Sequence, residues 1–220
     1  MTNDVQILNN GYPMPAVGLG VYKIADEQME EVVRTALDAG YRAFDTAYFY
    51  GNEKALGSAL KHSNVERDEL FITSKLWNDY QGYDQTIEYF NKSLDNLGLD
   101  YLDLFLIHWP CENDQLYIES YKALEHLYEE GKIKAIGVCN FKIHHLEKLM
   151  KETKITPQVN QIELHPYFNQ QDVQDFCDEH DIKVTASMPL MRNKGLLDDP
   201  VITDIAHRYD KTPAQIVLRW

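Results

Sequence analysis

Short apolar runs alternate with longer amphipathic stretches from about residue 16 to residue 220, and few architectures accept that pattern. Seven runs read as strands: AVGLG near 16–20, RAFDT near 42–46, LFITSK at 70–75, LDLFLIH at 102–108, IKAIGVC at 133–139, QVNQIE at 158–163 and KVTAS at 183–187. Most are apolar on both faces, as parallel strands covered by helices must be. Between them apolar residues recur every three or four positions, as at Met29, Val32, Val33, Ala36 and Leu37 or at Ile87, Phe90, Leu94 and Leu97. Each set forms the buried stripe of a helix. Gly40, Gly98 and Gly131 stand just past helical stretches, where a left-handed closing residue is cheapest. Ahead of the first unit, VQILNNGYPMP predicts a β-hairpin outside the main sheet. Regular βα alternation favours a (β/α) barrel over an open doubly wound sheet, and no GxGxxG or GxxxxGK[ST] loop follows any strand.

Charge and cysteine usage narrow the partners. A net charge of −14 argues against nucleic acid and anionic membranes, which need a basic face. The first residues, MTNDVQILNNG, have neither the basic start nor the apolar stretch of a secretion signal, and no window approaches eighteen apolar residues. Cys111, Cys139 and Cys177 are odd in number and widely spaced, which suits a reducing compartment. The expectation is a cytoplasmic protein of undetermined oligomeric state.

In a (β/α) barrel, chemistry gathers at the carboxyl ends of the strands. Here those ends carry Asp45 with Tyr50, Lys75, His108, Asn140, and Gln161 with Glu163. Burying a lysine and an aspartate is costly unless they pair, so Lys75 is expected against Asp45. Taken singly, such a pair can be scaffolding and His108 a satisfied core histidine. Four proton-active groups ending separate elements suggest instead an acid for a carbonyl: Tyr50 gives the proton, Lys75 lowers its pKa, Asp45 holds Lys75, and neutral His108 orients the substrate oxygen. That set needs no nucleophile and suits hydride delivery from a nicotinamide. A metal-dependent hydrolase using Asp45, His108 and His165 is the competitor, although no close ligand pair stands early in the chain. The other six histidines read as solvated or capping residues.

The segments DTAYFYGNEKALGSAL, LFITSKLW, SLDNLGLDYLDLFLIHWP, GVCNF and NQIELHPY resemble the signature segments of the aldo-keto reductases, in order and spacing, from about residue 6 to 220. GVYKI and SKLWN are most similar to small bacterial reductases related to diketogluconate reductases. The resemblance implies a single (β/α)8 TIM barrel over residues 1–220 and NADPH-dependent reduction of small aldehydes or ketones. It also implies that Asn140 and Gln161 hold the nicotinamide carboxamide and that Tyr22, Trp77, Trp109 and His108 line the substrate pocket. No metal is implied.

Three departures accompany the likeness. Ser187 stands where the family has an aromatic ring that stacks on the nicotinamide, Met188 stands where it has a serine, and Cys139 replaces the serine of GVSNF. Cofactor binding, to which Ser187 would contribute, is therefore expected to be weakened. The sequence stops at Trp220 in a helix opened by Pro213, so the expected barrel lacks its eighth strand and last helix. A truncated or degenerate relative without catalysis is the alternative.

Overall fold

The structure is a computed structural model that describes residues 4–220. Its sheet order follows the chain without a crossover: β3 (Leu19–Gly20), β4 (Ala43–Asp45), β5 (Phe71–Leu76), β6 (Leu102–Ile107), β7 (Ile133–Cys139), β8 (Val159–Glu163) and β9 (Lys183–Ser187), all parallel. Six helices connect these strands: α1 (Asp26–Asp38), α2 (Glu53–Lys61), α3 (Tyr83–Leu97), α4 (Asp114–Glu129), α5 (Ile143–Glu152) and α6 (Gln171–Glu179). This is the expected TIM-type α/β architecture with seven parallel strands, curled but not closed, since β3 and β9 do not pair with each other among the described residues.

The expected hairpin is also present. β1 (Val5–Ile7) pairs antiparallel with β2 (Pro13–Pro15), separate from the large sheet. Leu8 and Met14 then pack on Ala43, Phe71, Leu104 and Val159, which plugs the amino-terminal end of the curl. Asn9 and Asn10 tie the plug down by donating to the Pro157 and Lys134 carbonyls, at 3.1 and 2.9 Å.

Strand alternation divides the core in two. Phe44, Ile72, Phe105, Ile136, Val138 and Ile162 face the helices and pack with Met29, Val33, Leu56, Phe90 and Leu124. Ala43, Phe71, Leu104, Leu106, Ala135 and Val159 face the inside of the curl, the period of two that strands impose. At Gly137 the inner face is tightest: a Cβ there would lie 2.3 Å from the Val159 carbonyl oxygen and 2.9 Å from Leu106 Cδ2. Only glycine lets β7 and β8 approach so closely.

Two expectations about the strands need correction. The first strand is two residues long rather than five, because Val17 is exposed and only Leu19 and Gly20 reach β4 partners. KVTAS forms its strand as expected, yet β9 is half exposed along its length, whereas every residue of β5 and β6 is buried.

After β9 the chain leaves the sheet. α7 (Pro200–Tyr209) and α8 (Pro213–Arg219) close a small core of their own around Leu196, Ile202 and Val217. Pro213 does occupy the first turn of α8, where Thr212 and Gln215 form a reciprocal cap. Met188, Met191 and Arg192 in the preceding turn adopt φ of 50°, 52° and 52°, which is uncommon for such side chains.

Candidate active site

The inner-face alternation that starts in the apolar plug ends in polar residues. Two steps of chain beyond Ala43 lies Asp45; beyond Phe71 come Thr73 and Lys75; beyond Leu106 comes His108; beyond Ala135 and Gly137 comes Cys139; beyond Val159 comes Gln161. The carboxyl rim thus inherits its chemistry from strand geometry.

Lys75 has no exposed surface, and Asp45 is 24% exposed. The Lys75 ammonium donates to Asp45 Oδ1 and to the Thr46 carbonyl, the latter at 2.9 Å. Burial alone would lower the lysine's pKa, but Asp45, Tyr50 and Cys139 outweigh it, and the pKa is raised. The other Asp45 oxygen accepts from Gln161 Nε2 at 2.9 Å. Gln161 Oε1 accepts in turn from the Cys139 thiol at 3.6 Å.

Tyr50 reaches this pair from a single turn of 3-10 helix, Tyr48–Tyr50, closed by Gly51 at φ 72°. The turn is anchored from both sides. Thr46 Oγ1 donates to Asn52 Oδ1 at 2.8 Å, and Asn52 Nδ2 donates to the Val21 carbonyl at 2.9 Å. Glu53, which opens α2, is buried and accepts from Ser74 and Asn96. The Gly-Asn-Glu stretch is therefore a clamp for the loop that presents the phenol.

The Lys75 ammonium lies 5.2 Å from the Tyr50 ring centroid. Sequence reasoning expects that ammonium to lower the phenol's pKa. The net direction is the reverse: burial raises it, Lys75 opposes, and Asp45 and Cys139 add to the rise. Desolvation of the phenolate outweighs one cation already shared with a carboxylate.

His108 meets the Tyr50 ring edge-on, with centroids 5.6 Å apart, and meets Trp77 similarly at 5.3 Å. Burial and then the nearby Lys75 ammonium depress its pKa to about 3, so the imidazole is neutral near pH 7. Its Nδ1 is buried with no hydrogen-bond partner among the described residues. Asn140, held at φ 61°, donates from Nδ2 to the His108 carbonyl at 3.0 Å.

Of the residues expected around the substrate, Tyr22 packs on Tyr50 at 4.7 Å and Trp77 on His108. Trp109 is 47% exposed and makes no ring contact with this group among the described residues; its carbonyl accepts from Gln81. Ser187 ends β9 opposite Glu163, one strand beyond Gln161. Phe49 escapes sequence reasoning, yet it stacks on Trp77 with centroids 3.9 Å apart and planes 19° apart. Its adjacency to Tyr50 is the signal that marks it, once the segment is read as a 3-10 turn that turns successive side chains about 120° apart.

His165 is buried and contacts Glu163 at 3.2 Å, on β8 and its loop. Among the described residues no group of three or more His, Cys, Asp or Glu side chains is disposed to hold a metal. A shallow cleft of about 610 Å³ lies further along the rim, between Lys142 and His144 on one side and Tyr167, Phe168 and Gln170 on the other. It does not cover the Tyr50 group.

Comparison with known proteins bears on the family and the fold. The model for the "Aldo/keto reductase family" matches residues 16–220. Glyoxal reductase of Bacillus subtilis is 49% identical over 218 residues, which cover 99% of this chain and 78% of that protein. Methylglyoxal reductase DkgA of Escherichia coli O157:H7 is 48% identical over 97% of this chain and 77% of its own. Among solved structures, an aldo/keto reductase from Brucella melitensis superposes with a TM-score of 0.96 at 46% identity, covering 100% of this chain and 84% of that one. A Gox0644 mutant in complex with NADPH gives a TM-score of 0.94 at 41% identity, covering 100% and 79%. No helix among the described residues is long and apolar enough to cross a membrane.

Proposed function

The chain belongs to the aldo/keto reductase family, and from that premise we propose that it reduces small aldehydes or ketones to alcohols with NADPH, using Tyr50 as proton donor. The observation that carries this reading is Lys75, wholly buried, bound to Asp45 and poised beside the Tyr50 ring.

The rim has amide groups to spare for a nicotinamide carboxamide. Asn140 spends one N–H on the His108 carbonyl, and Gln161 spends one on Asp45, leaving each a second N–H on the same rim as Tyr50. A carboxamide presents one acceptor and two donors, which such groups match. Ser187 offers no flat face, so this chain lacks one stacking contact worth about 0.5–1.5 kcal/mol. Bound NADPH would supply the hydride.

The protein's own residues then manage the proton. Negative charge grows on the carbonyl oxygen, and Tyr50 gives up its proton there. An alkoxide is a far stronger base than a phenolate, so transfer runs downhill even from a phenol whose acidity burial has reduced. Lys75 stabilises the resulting phenolate, and Asp45 keeps Lys75 charged. Neutral His108, whose Nδ1 has no acceptor among the described residues, is best served by its proton on Nε2, a donor that fixes the direction of the substrate oxygen.

The relatives are named for glyoxal and methylglyoxal, and small dicarbonyls of that class are the substrates to try first. The test is NADPH oxidation with methylglyoxal by the 220-residue chain and its Tyr50→Phe variant. A fall of about 10²–10⁴-fold in the variant is expected. Turnover no faster than the variant's would end the proposal.

A further inference from the structure

We propose that Cys139 is a positioning residue for the Tyr50 centre: its thiol fixes the orientation of the Gln161 carboxamide, and Gln161 in turn holds Asp45 in place for Lys75. Cys139 and Gln161 are opposite one another in the β7–β8 register, both on the inner face. The thiol donates to Gln161 Oε1 at 3.6 Å, Gln161 Nε2 donates to Asp45 Oδ2 at 2.9 Å, and Asp45 Oδ1 accepts from Lys75. The result is one unbroken line of donors and acceptors that starts at a side chain with 1% exposure and ends at the buried ammonium.

The line has a direction. A glutamine amide has two orientations that differ by exchanging its oxygen and nitrogen. In the orientation present, Oε1 faces a donor and Nε2 faces a carboxylate. Reversing it would set Oε1 against the Asp45 carboxylate and oblige the thiol to turn and accept from the NH2 group through sulfur, so the carboxylate opposes the reversal and the thiol exchanges a donated bond for a weak accepted one. Burial pushes the Cys139 thiol up, away from ionisation, which keeps its hydrogen available as the donor this line requires. A smaller side chain without a hydrogen to give would leave one end of the amide unheld and free Gln161 to swing away from Asp45.

For its kinetic consequence this inference rests on the reductase reading, but its structural part stands apart from it. The experiment compares the parent with Cys139→Ala and Cys139→Ser, following the side-chain amide signals of Gln161 in ¹⁵N-labelled protein, identified by their loss in Gln161→Met, together with the kinetics of methylglyoxal reduction. The alanine variant is expected to shift those signals, speed their hydrogen exchange by about two- to tenfold, and lower kcat by a similar factor with KM for the aldehyde unchanged. The serine variant, which restores a donor, is expected to recover both. Should alanine fail to fold, Cys139→Val removes the donor without opening a cavity. Unchanged Gln161 signals in the alanine variant would overturn the proposal. So would a serine variant that behaves like alanine, or an unchanged kcat beside a loosened amide. If the parent itself turns over no carbonyl, the reductase reading falls, and the amide signals alone decide the role of Cys139.

Discussion

The Lys75 ammonium sits 5.2 Å from the centroid of the Tyr50 ring with none of its own surface open to solvent. Its charge depends on Asp45, and that dependence has a signature in stability. In the parent the lysine's pKa is raised, so the stabilisation is complete below the unfolded value of about 10.4 and is lost only as pH climbs through the higher folded value. Asp45→Asn leaves an unpaired ammonium in the same place, at a cost on the order of 3 kcal/mol. Its folded pKa then falls below the unfolded one, so the variant gains stability as pH rises. Urea midpoints taken from pH 7 to pH 10 are expected to converge. A gap that stays constant would count against a charged Lys75.

His108 gives the opposite sign at the acid end. Its folded pKa of about 3 lies below the unfolded value near 6.5, so the unfolded chain binds a proton that the folded one refuses. The associated stability is whole above about pH 6.5 and is lost as pH falls toward 3, with a slope of up to ~1.4 kcal/mol per pH unit. His108→Gln is expected to flatten that limb, measured as the difference in urea midpoint between the two proteins at pH 6 and pH 4. Parallel curves would contradict a neutral, desolvated imidazole.

Phe49 lies flat on Trp77, and the two rings form a wall beside His108. Phe49→Ala removes a stacked pair worth about 0.5–1.5 kcal/mol and lets Trp77 turn. KM for methylglyoxal is expected to rise about two- to tenfold with kcat nearly unchanged, because Phe49 has no proton to move. A variant whose kcat falls while KM holds would place Phe49 in the chemistry instead.

Gly137 controls the spacing of the two strands that carry Cys139 and Gln161. Gly137→Ala forces a Cβ to within 2.3 Å of the Val159 carbonyl oxygen unless backbone moves. Overpacking of this kind costs about 1–3 kcal/mol. Both a lower urea midpoint and slower carbonyl reduction are expected. Normal stability would mean that β7 and β8 separate more easily than their packing implies.

The strands that are buried on both faces were the most legible part of the sequence. Ile133–Cys139 matches its apolar run residue for residue, because only Lys134 interrupts its burial and both ends are buried. The first strand was overread, since AVGLG is equally apolar whether two residues or five find partners. Within the site, the pairing of Lys75 with Asp45 followed from the cost of leaving either alone. The bond from Gln161 to Asp45 did not follow, because an amide has many possible partners and sequence says nothing about distance across four strands. The acidity of Tyr50 was misjudged for a related reason: the ammonium is visible in the sequence, but the burial that outweighs it is a property of the assembled rim.

Burial falls from β5 and β6 toward both edges of the sheet, β3 and β9, which gives it a stiff centre and soft edges. Lys75 belongs to the stiff centre, while Gln161 and Ser187 ride on strands with solvent against them. Thermal opening is therefore expected to start at these edges and travel inward, reaching the ammonium last. A ligand gripping the β9 edge would find a surface still to be ordered and would spend part of its affinity quieting it; one touching only Tyr50 and His108 would meet groups already at rest.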